Sequence, residues 1–237
     1  MARARSLPAQ GRPTVELRWS ERRDGDLAVG GDPAALERRR SAVCDLPWTW
    51  LDQGHGTEVV VVEEPGGCCG STADAAVTTC RGAVLAVHTA DCAPVLLWST
   101  AGPAVVAAAH AGWRGLYDGV VESTVANMRA LGAEAIGWSV GPHIGAEAYE
   151  FSPADLTTLA LRFGPEVVSA TASGLPALDL GAAVESALRG AGVDVSAGAR
   201  SAGCTATGLD DDGGPRWFSW RARSDRGRQA SLIWLAP

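Results

Sequence analysis

Residues 83–110 read AVLAVHTADCAPVLLWSTAGPAVVAAAH, and this stretch decides the fold class. It contains three apolar segments, at 83–88, 94–98 and 104–110, that are too short for typical helices and lie between turn residues such as Gly and Pro. Short apolar runs of this kind are typical of strands that are buried on both faces. The stretch therefore predicts three consecutive buried strands.

On the carboxyl side of these strands, the sequence changes to helical periodicity. Apolar residues recur at helical spacing from Val121 to Met128, and Gly132 supplies a stop. A second helix is predicted to start after Ser152, and a third is predicted around Val184. Because strands and helices alternate without a strict βαβ rhythm or an internal repeat, the sequence predicts a mixed α+β fold.

The amino-terminal region is predicted to contain a tail followed by the start of the folded domain. Residues 1–13 carry three arginines with no apolar segment after them, which predicts a flexible tail without a secretory signal. Residues 14–19 alternate as a strand does, and Asp32 followed by Pro33 predicts the start of a short helix. We therefore expect a single domain over residues 14–237.

The composition restricts the classes of function. The 237 residues carry a formal net charge of −7, and all 20 basic residues are arginine. The absence of lysine excludes Schiff-base chemistry, and the negative charge opposes binding to nucleic acid or to anionic membranes. No apolar run approaches the roughly 20 residues of a membrane span. A small-molecule substrate is the better expectation, and we expect six reduced cysteines and a cytoplasmic location.

Two histidines and one cysteine are candidate metal ligands. His55 lies between two glycines, Cys92 precedes a predicted buried strand, and His110 ends another. Taken singly, His55 is typical of a surface turn and Cys92 of an inert core thiol. Together, two imidazoles and a thiolate suit one zinc ion and leave a fourth tetrahedral position for water or substrate. Their intervals are unlike those of compact zinc motifs, so spacing alone gives weak support.

Several blocks of sequence match one known family. They are, in chain order, QGHG at 53–56, ADA at 73–75, TADCAPVL at 89–96, HAGWRG at 110–115, GP at 141–142, CT at 204–205, FS at 218–219 and GRQ at 227–229. Over about residues 14–236 the chain resembles the polyphenol oxidase or laccase-domain family, now regarded as zinc-dependent purine nucleoside enzymes. The blocks around Cys92 and His110 are highly specific.

The resemblance implies a layered sandwich of mixed β-sheets flanked by helices. It also implies a purine nucleoside phosphorylase that cleaves adenosine, inosine, guanosine and methylthioadenosine with phosphate and that deaminates adenosine. One zinc ion would be held at the positions matching His55, Cys92 and His110. An older family label, copper-dependent phenol oxidation, leaves copper possible, and peptidoglycan-precursor editing has been attached to bacterial members.

The residues near the implied ligands have predicted roles. Arg114 suits phosphate because a guanidinium fork matches two oxygens. Gln53 and Asp91 are candidates for hydrogen bonds that orient the imidazoles during catalysis, or equally for turn-capping side chains. Arg228 either adds positive charge to the pocket or lies on the surface. His88 is expected to be a hydrogen-bonded core histidine rather than a ligand.

Four positions depart from the usual family pattern. Gly54 stands where a hydrophobic residue is common, Glu147 and Ala148 stand where one or two cysteines are common, and Trp220 stands where Tyr is common. None of these departures removes an implied ligand. Gly54 is expected to loosen the segment that carries His55.

The sequence leaves other functions open. Copper-dependent phenol oxidation is disfavoured because multicopper sites need many more histidines than the four present. A cysteine hydrolase with Cys92 as nucleophile and His110 as base lacks a clear third residue to orient the base. A structural zinc site in a domain that binds a protein partner would need a fourth protein ligand. The preferred nucleoside stays open, as does the choice between a monomer and a small homo-oligomer.

Overall fold

The three apolar segments of residues 83–110 form strands in two different sheets. The computed structural model describes residues 2–9, 11–201 and 203–237. Its strands are β1 (Arg3–Ala9), β2 (Arg12–Trp19), β3 (Trp48–Asp52), β4 (Val59–Val62), β5 (Ser71–Thr72), β6 (Ala75–Thr78), β7 (Val84–Thr89), β8 (Ala93–Ala101), β9 (Val106–Ala111), β10 (Ala135–Val140), β11 (Val168–Ala170), β12 (Pro176–Leu178), β13 (Gly198–Arg200) and β14 (Gln229–Leu235). Its helices are α1 (Pro33–Val43), α2 (Trp113–Asp118), α3 (Val120–Ala130), α4 (Pro153–Phe163), α5 (Leu180–Gly190) and α6 (Trp220–Arg223).

Two six-stranded sheets organise the chain. The first has the strand order β1-β2-β14-β7-β3-β5, and the second has the order β13-β10-β8-β9-β6-β4. Strand β7 belongs to the first sheet, whereas β8 and β9 belong to the second. The short connection at residues 90–92 therefore crosses from one sheet to the other. Strands β11 and β12 form a separate two-stranded sheet.

Apolar side chains join the sheets and helices into layers. One cluster lies between the two sheets and includes Leu85 and Val87 of β7 with Leu96 and Val106 of the second sheet. Side chains on the other face of the second sheet pack against α3, α4 and α5. Those on the other face of the first sheet pack against α1. The expected α+β sandwich, with mixed sheets flanked by helices, is confirmed.

Two helices, α1 and α4, begin where the sequence predicted them. The Asp32 side chain accepts a hydrogen bond from the Ala35 N–H at 2.7 Å and caps α1, as Ser152 caps α4. Gly119 has a φ of 107° and separates α2 from α3, because few other residues adopt this left-handed conformation. No helix in the described ranges is both long and apolar enough to cross a membrane.

The amino-terminal segment differs from the flexible tail predicted for residues 1–13. Residues 3–9 form β1, which pairs antiparallel with β2 in a register that places Arg3 opposite Trp19. Strand β2 in turn pairs with β14, which is more than 200 residues away in the chain. Charged side chains such as arginine are common on an exposed edge strand because they block further strand pairing. The arginines of this segment therefore led to the prediction of a tail instead of a strand. The single domain over 14–237 stays a prediction.

Candidate metal centre and substrate cavity

The structure brings His55, Cys92 and His110 together. His55 lies on the loop after β3, Cys92 on the connection between β7 and β8, and His110 in β9. One ligand atom from each lies within 4.8 Å of the other two, and this is the one group of three such residues within the described ranges. Nε2 of His55 is 3.6 Å from Sγ of Cys92.

Strand register explains why residues so far apart in sequence converge. Strands β8 and β9 pair with Pro94 opposite His110, so the connection that carries Cys92 ends beside His110. Strands β6 and β9 pair with Ala75 opposite Ala109, which places Asp74 beside His110 as well. Pairing between strands therefore assembles the group, and a local motif is not required.

Asp74 is the residue that organises this site. Its buried carboxylate accepts a hydrogen bond at 2.8 Å from Nδ1 of His110, so Nε2 is the nitrogen of that ring that would bind an ion. The same carboxylate accepts backbone N–H bonds from Gly54, His55 and Gly56, at 3.1, 3.0 and 2.6 Å. These bonds hold His55 at a φ of 62°. Asp74 thus fixes two of the three candidate ligands.

Asp74 lies within the ADA block at 73–75, but no role was predicted for it from the sequence. One signal was present, because Asp74 is a carboxylate directly before a run of small apolar residues, and buried carboxylates in such surroundings are almost always paired. The departure at Gly54 is harmless to the loop, since nothing lies within 4 Å of a Cβ built there. The loop is fixed by hydrogen bonds to Asp74 and not by side-chain packing at position 54.

Charge in the metal-free site is separated between Cys92 and His110. Burial raises the pKa of the Cys92 thiol, but the His110 charge and hydrogen bonds from both histidines outweigh it and hold the pKa at about 6. Burial lowers the pKa of His110, but the Cys92 thiolate and the Asp74 carboxylate raise it to about 9. Near neutral pH the pair is therefore a thiolate and an imidazolium.

Alkylation of the metal-free protein tests this pairing. Cys92 is expected to react with iodoacetamide with a midpoint near pH 6, because only the thiolate is nucleophilic. Buried Cys44 is the internal control, because burial is the main cause that raises its pKa, and it should stay unreactive at that pH. The rates are read residue by residue by mass spectrometry. A Cys92 midpoint close to the ordinary thiol value of 9.0 would contradict the pairing.

Two glycines of the HAGWRG block let the ligands approach one another. A Cβ at Gly112 would clash with the His55 ring and lie 3.2 Å from Sγ of Cys92. A Cβ at Gly115 would lie 2.8 Å from the carbonyl oxygen of Gly56, so α2 could not pack against the loop that carries His55. Both positions require a residue without a side chain.

A cavity of about 610 Å³ opens beside the three candidate ligands. This volume lies within the range of about 300–1,000 Å³ that is usual for small-molecule sites. Its wall includes four arginines, and three aromatic side chains also line it, namely Trp113, Tyr149 and Trp220. The arginines are Arg114, Arg221, Arg226 and Arg228. In a chain with a net charge of −7, this is a local concentration of positive charge.

Both arginines predicted to bind substrate line this cavity. Arg114 lies in the first turn of α2, and its Cζ stacks 4.3 Å from the centre of the Trp113 ring. No hydrogen bond or ion pair engages its guanidinium within the described residues, so its donors are free. Arg228 directs Nη1 to backbone carbonyl oxygens at residues 225–227, which fixes its side chain at the cavity wall.

Gln53 and Asp91 also line the cavity, but neither orients an imidazole ring. The Gln53 amide binds both the carbonyl oxygen and the N–H of His88, each at 2.8 Å. The Asp91 carboxylate accepts bonds from Oγ1 of Thr205 at 2.6 Å and from the N–H of Arg221 at 2.7 Å. Both side chains fix backbone segments around the cavity. The residue that orients an imidazole ring is Asp74, through its hydrogen bond with Nδ1 of His110.

Comparisons with known proteins agree with this architecture. A protein of Streptomyces coelicolor named purine nucleoside phosphorylase is 38% identical over 217 residues, which cover 88% of this chain and 86% of that protein. A Mycobacterium bovis protein of the same name is 36% identical over 216 residues, which cover 87% and 82%. A crystal structure of a Neisseria meningitidis protein superposes with a TM-score of 0.81 at 32% identity, covering 100% of this chain and 99% of that one.

The family follows from a match that spans most of the chain. A sequence model described as multi-copper polyphenol oxidoreductase laccase matches residues 19–236. The match includes every residue of the His55, Cys92 and His110 group and all four arginines of the cavity. The resemblance seen in the sequence is therefore confirmed, and the chain belongs to the multi-copper polyphenol oxidoreductase laccase family.

Proposed function

We propose that this chain is a zinc-dependent purine nucleoside phosphorylase. It would convert a purine nucleoside and phosphate into the free base and ribose 1-phosphate. The observation that carries the proposal is the convergence of His55, Cys92 and His110 at the wall of a cavity that four arginines also line. Two family members that are 38% and 36% identical to this chain carry the name of this activity.

The three residues fit a single zinc ion. Imidazole nitrogen and thiolate sulfur are both zinc ligands, and catalytic zinc sites use three protein ligands, the number in this group, so that the fourth coordination position stays open. Asp74 supplies the carboxylate that zinc-binding histidines usually have on their second nitrogen. Bound there, zinc would act as a Lewis acid toward a substrate oxygen.

Arg114 has a defined task in this reaction. The bond between C1′ of the ribose and the purine nitrogen breaks, and a bond between C1′ and a phosphate oxygen forms. The bonding electrons leave with the purine, which takes up the proton that phosphate loses when its oxygen bonds to C1′. Arg114 binds the phosphate through its unoccupied donors and holds it in the cavity, since a guanidinium fork matches two phosphate oxygens.

The proposal includes the finer activities that the sequence implied. The nucleosides are adenosine, inosine, guanosine and methylthioadenosine, and adenosine is also deaminated by water to inosine and ammonia. Chromatography of adenosine incubated with the zinc-loaded protein, with and without phosphate, tests both reactions. Adenine and ribose 1-phosphate should form only with phosphate, and inosine should form in both conditions. Unchanged adenosine in both would overturn the proposal.

Replacing Arg114 tests the phosphate site. The Arg114→Ala variant is expected to raise the KM for phosphate about 10- to 100-fold, because charge-assisted hydrogen bonds contribute about 1.5–3 kcal/mol. The KM for the nucleoside should change little. The control is Arg189→Ala, an exposed arginine outside the cavity whose nearest ion pair, with Glu166, is 3.7 Å long. Equal phosphate KM values in the two variants would show that Arg114 does not bind phosphate.

The structure also favours a second candidate, a cysteine hydrolase. The sequence alone identified no third residue that would orient His110. In the structure Asp74 is that residue, because its carboxylate accepts the hydrogen bond from Nδ1 of His110. Cys92, His110 and Asp74 thus have the order of a nucleophile, a base and an orienting carboxylate.

His55 distinguishes the two candidates, because a zinc site needs it and a hydrolase triad does not. Phosphorolysis should be lost in His55→Ala and after chelation of the metal. Hydrolysis by a triad would survive both treatments and would be inactivated by iodoacetamide whether or not zinc is present. The cavity arginines and the third ligand favour the phosphorylase.

A further inference from the structure

Tyr149 carries a hydroxyl group that no other part of the described chain binds. The side chain lines the cavity and is largely buried, with an exposed fraction of 9%. Its Oη forms no hydrogen bond within the described residues, and it is not one of the unpartnered oxygens that are closed to solvent. The hydroxyl of Thr89 and the ring nitrogens of His88, which also line the cavity, are closed in that way. The Tyr149 hydroxyl is therefore an unpartnered group that a ligand can reach.

A row of three aromatic rings fixes the position of Tyr149. The rings of Trp113 and Phe151 meet edge to face with their centres 5.4 Å apart, and those of Phe151 and Tyr149 do so at 5.3 Å. Arg114 stacks on the Trp113 end of the row, with its Cζ 4.3 Å from the ring centre. Arg221 stacks on the Tyr149 end, with its Cζ 5.2 Å from the ring centre. A guanidinium group therefore caps each end of the row.

The charges around the phenol place it beside the candidate metal group. The charged groups that act on Tyr149 all line the cavity, and they are Cys92, Asp91, Arg114 and Arg221. A phenol is protonated near neutral pH at its ordinary pKa of about 10, and burial raises the pKa of Tyr149 further. The hydroxyl therefore keeps its proton and can donate a hydrogen bond.

An anionic oxygen is the ligand group that these donors have in common. The guanidinium of Arg114 binds nothing within the described residues, and that of Arg221 donates one bond there, from Nη1 to the carbonyl oxygen of Glu150 at 3.2 Å. A guanidinium group only donates hydrogen bonds, and the Tyr149 hydroxyl adds one more donor beside two such groups. A tetrahedral oxyanion accepts several bonds of this kind at once, and bonds to an anion are stronger than bonds between neutral groups. Phosphate is such an anion.

We propose that Tyr149 is a further phosphate-binding residue, whose hydroxyl donates a hydrogen bond to the phosphate that Arg114 binds. This inference rests on the proposed function. Contacts with Phe151 and Arg221 hold the Tyr149 ring, so its hydroxyl needs little reorganisation to bind the anion. The bond fixes the orientation of the phosphate in the cavity, and a fixed orientation favours attack by one of its oxygens on C1′ of the ribose.

The two tyrosines of the chain allow a matched pair of substitutions. Tyr149→Phe removes the phenol oxygen and keeps the ring. Tyr117→Phe makes the same change at a tyrosine that is 38% exposed, that has Arg162 stacked 5.6 Å from its ring centre and that does not line the cavity. Calorimetric titration of the zinc-loaded proteins with inorganic phosphate measures binding without turnover. We expect Tyr149→Phe to bind phosphate about tenfold or more weakly, and Tyr117→Phe to bind it as the wild type does.

Kinetics distinguish a bond to phosphate from a bond to the nucleoside. In Tyr149→Phe the KM for phosphate should rise by about the same factor as the dissociation constant, while the KM for inosine, the affinity for hypoxanthine and the zinc content match the wild type. Weaker binding of inosine or hypoxanthine with unchanged binding of phosphate would overturn the inference, because the hydroxyl would then contact the nucleoside. Wild-type affinity for all three ligands would also overturn it.

The stability of the metal-free protein gives a readout that involves no substrate. Because the Tyr149 hydroxyl has no partner within the described residues, Tyr149→Phe should unfold at the same denaturant concentration as the wild type. A lower midpoint for Tyr149→Phe than for Tyr117→Phe would show that the Tyr149 hydroxyl is bonded within the protein. That result would overturn the inference.

The outcomes also distinguish this inference from the proposed function. Failure of the wild type to cleave any nucleoside would overturn the phosphorylase proposal, but weaker phosphate binding by Tyr149→Phe would then still identify an anion site at Tyr149. A wild type that cleaves inosine, with an unchanged KM for phosphate in Tyr149→Phe, would keep the phosphorylase and reject Tyr149. A wild type that neither binds phosphate nor cleaves a nucleoside would overturn both.

Discussion

The His110→Ala variant is expected to lose its bound metal and its nucleoside cleavage together. His110 joins the other two candidate ligands within 4.8 Å and also forms the hydrogen bond to Asp74. Removing a residue that orients a ligand costs metal affinity about 10- to 100-fold, and removing the ligand itself should cost more. We therefore expect cleavage to fall more than about a hundredfold. Elemental analysis and chromatography of inosine products measure the two losses.

A matched control is another buried histidine of the same chain. His143 has an exposed fraction of 7%, and its Nδ1 bonds to the carbonyl oxygen of Gly141 rather than to the metal group. His143→Gln retains an N–H donor and should keep both metal and activity. Retention of one metal ion by His110→Ala would show that this residue is not a ligand, and full cleavage by a variant that has lost its metal would show that cleavage does not need the metal.

The Asp74→Asn variant is expected to show the second-largest effect. The substitution keeps the shape of the side chain but turns an NH₂ group toward backbone N–H groups. In the wild type the carboxylate accepts hydrogen bonds from these N–H groups. It also leaves the buried His110 without its charged partner. We expect a 10- to 100-fold loss of metal affinity and a loss of about 3–5 kcal/mol in the free energy of unfolding.

Competition with a coloured chelator measures the metal affinity, and denaturant unfolding of the metal-free protein measures the stability. The control is Asp118→Asn, a carboxylate on the exposed end of α2, and it should change neither quantity. An Asp74→Asn protein with wild-type metal affinity would show that hydrogen bonds from Asp74 do not position the ligands.

Local sequence patterns were enough for the buried strands and most helices. Apolar runs bounded by turn residues gave β7, β8 and β9, and capping residues gave the starts of α1 and α4. They failed at β1, because the segment is rich in arginine and its strand partner is itself held by a strand from the far end of the chain. Pairing across such distances leaves no local signal.

The candidate site was predicted by resemblance rather than by spacing. His55, Cys92 and His110 converge through strand register, which the intervals between them do not reveal. The same register places Asp74, and for that reason its role was missed. His88 is buried as predicted, but its ring nitrogens have no hydrogen-bond partner within the described residues, so the predicted hydrogen bonding is wrong. The partners of a buried ring depend on its tertiary surroundings, which the neighbouring residues do not reveal.

Titration of chelator-treated protein with zinc, in the presence of inosine and phosphate, shows whether phosphorolysis depends on one bound zinc ion. We expect the release of hypoxanthine and ribose 1-phosphate to rise with added zinc and to reach a plateau at one zinc per chain. Without phosphate, the same protein should release neither product. Full phosphorolysis by protein that contains no metal would contradict zinc-dependent phosphorolysis, and so would a protein that binds one zinc ion and leaves inosine intact.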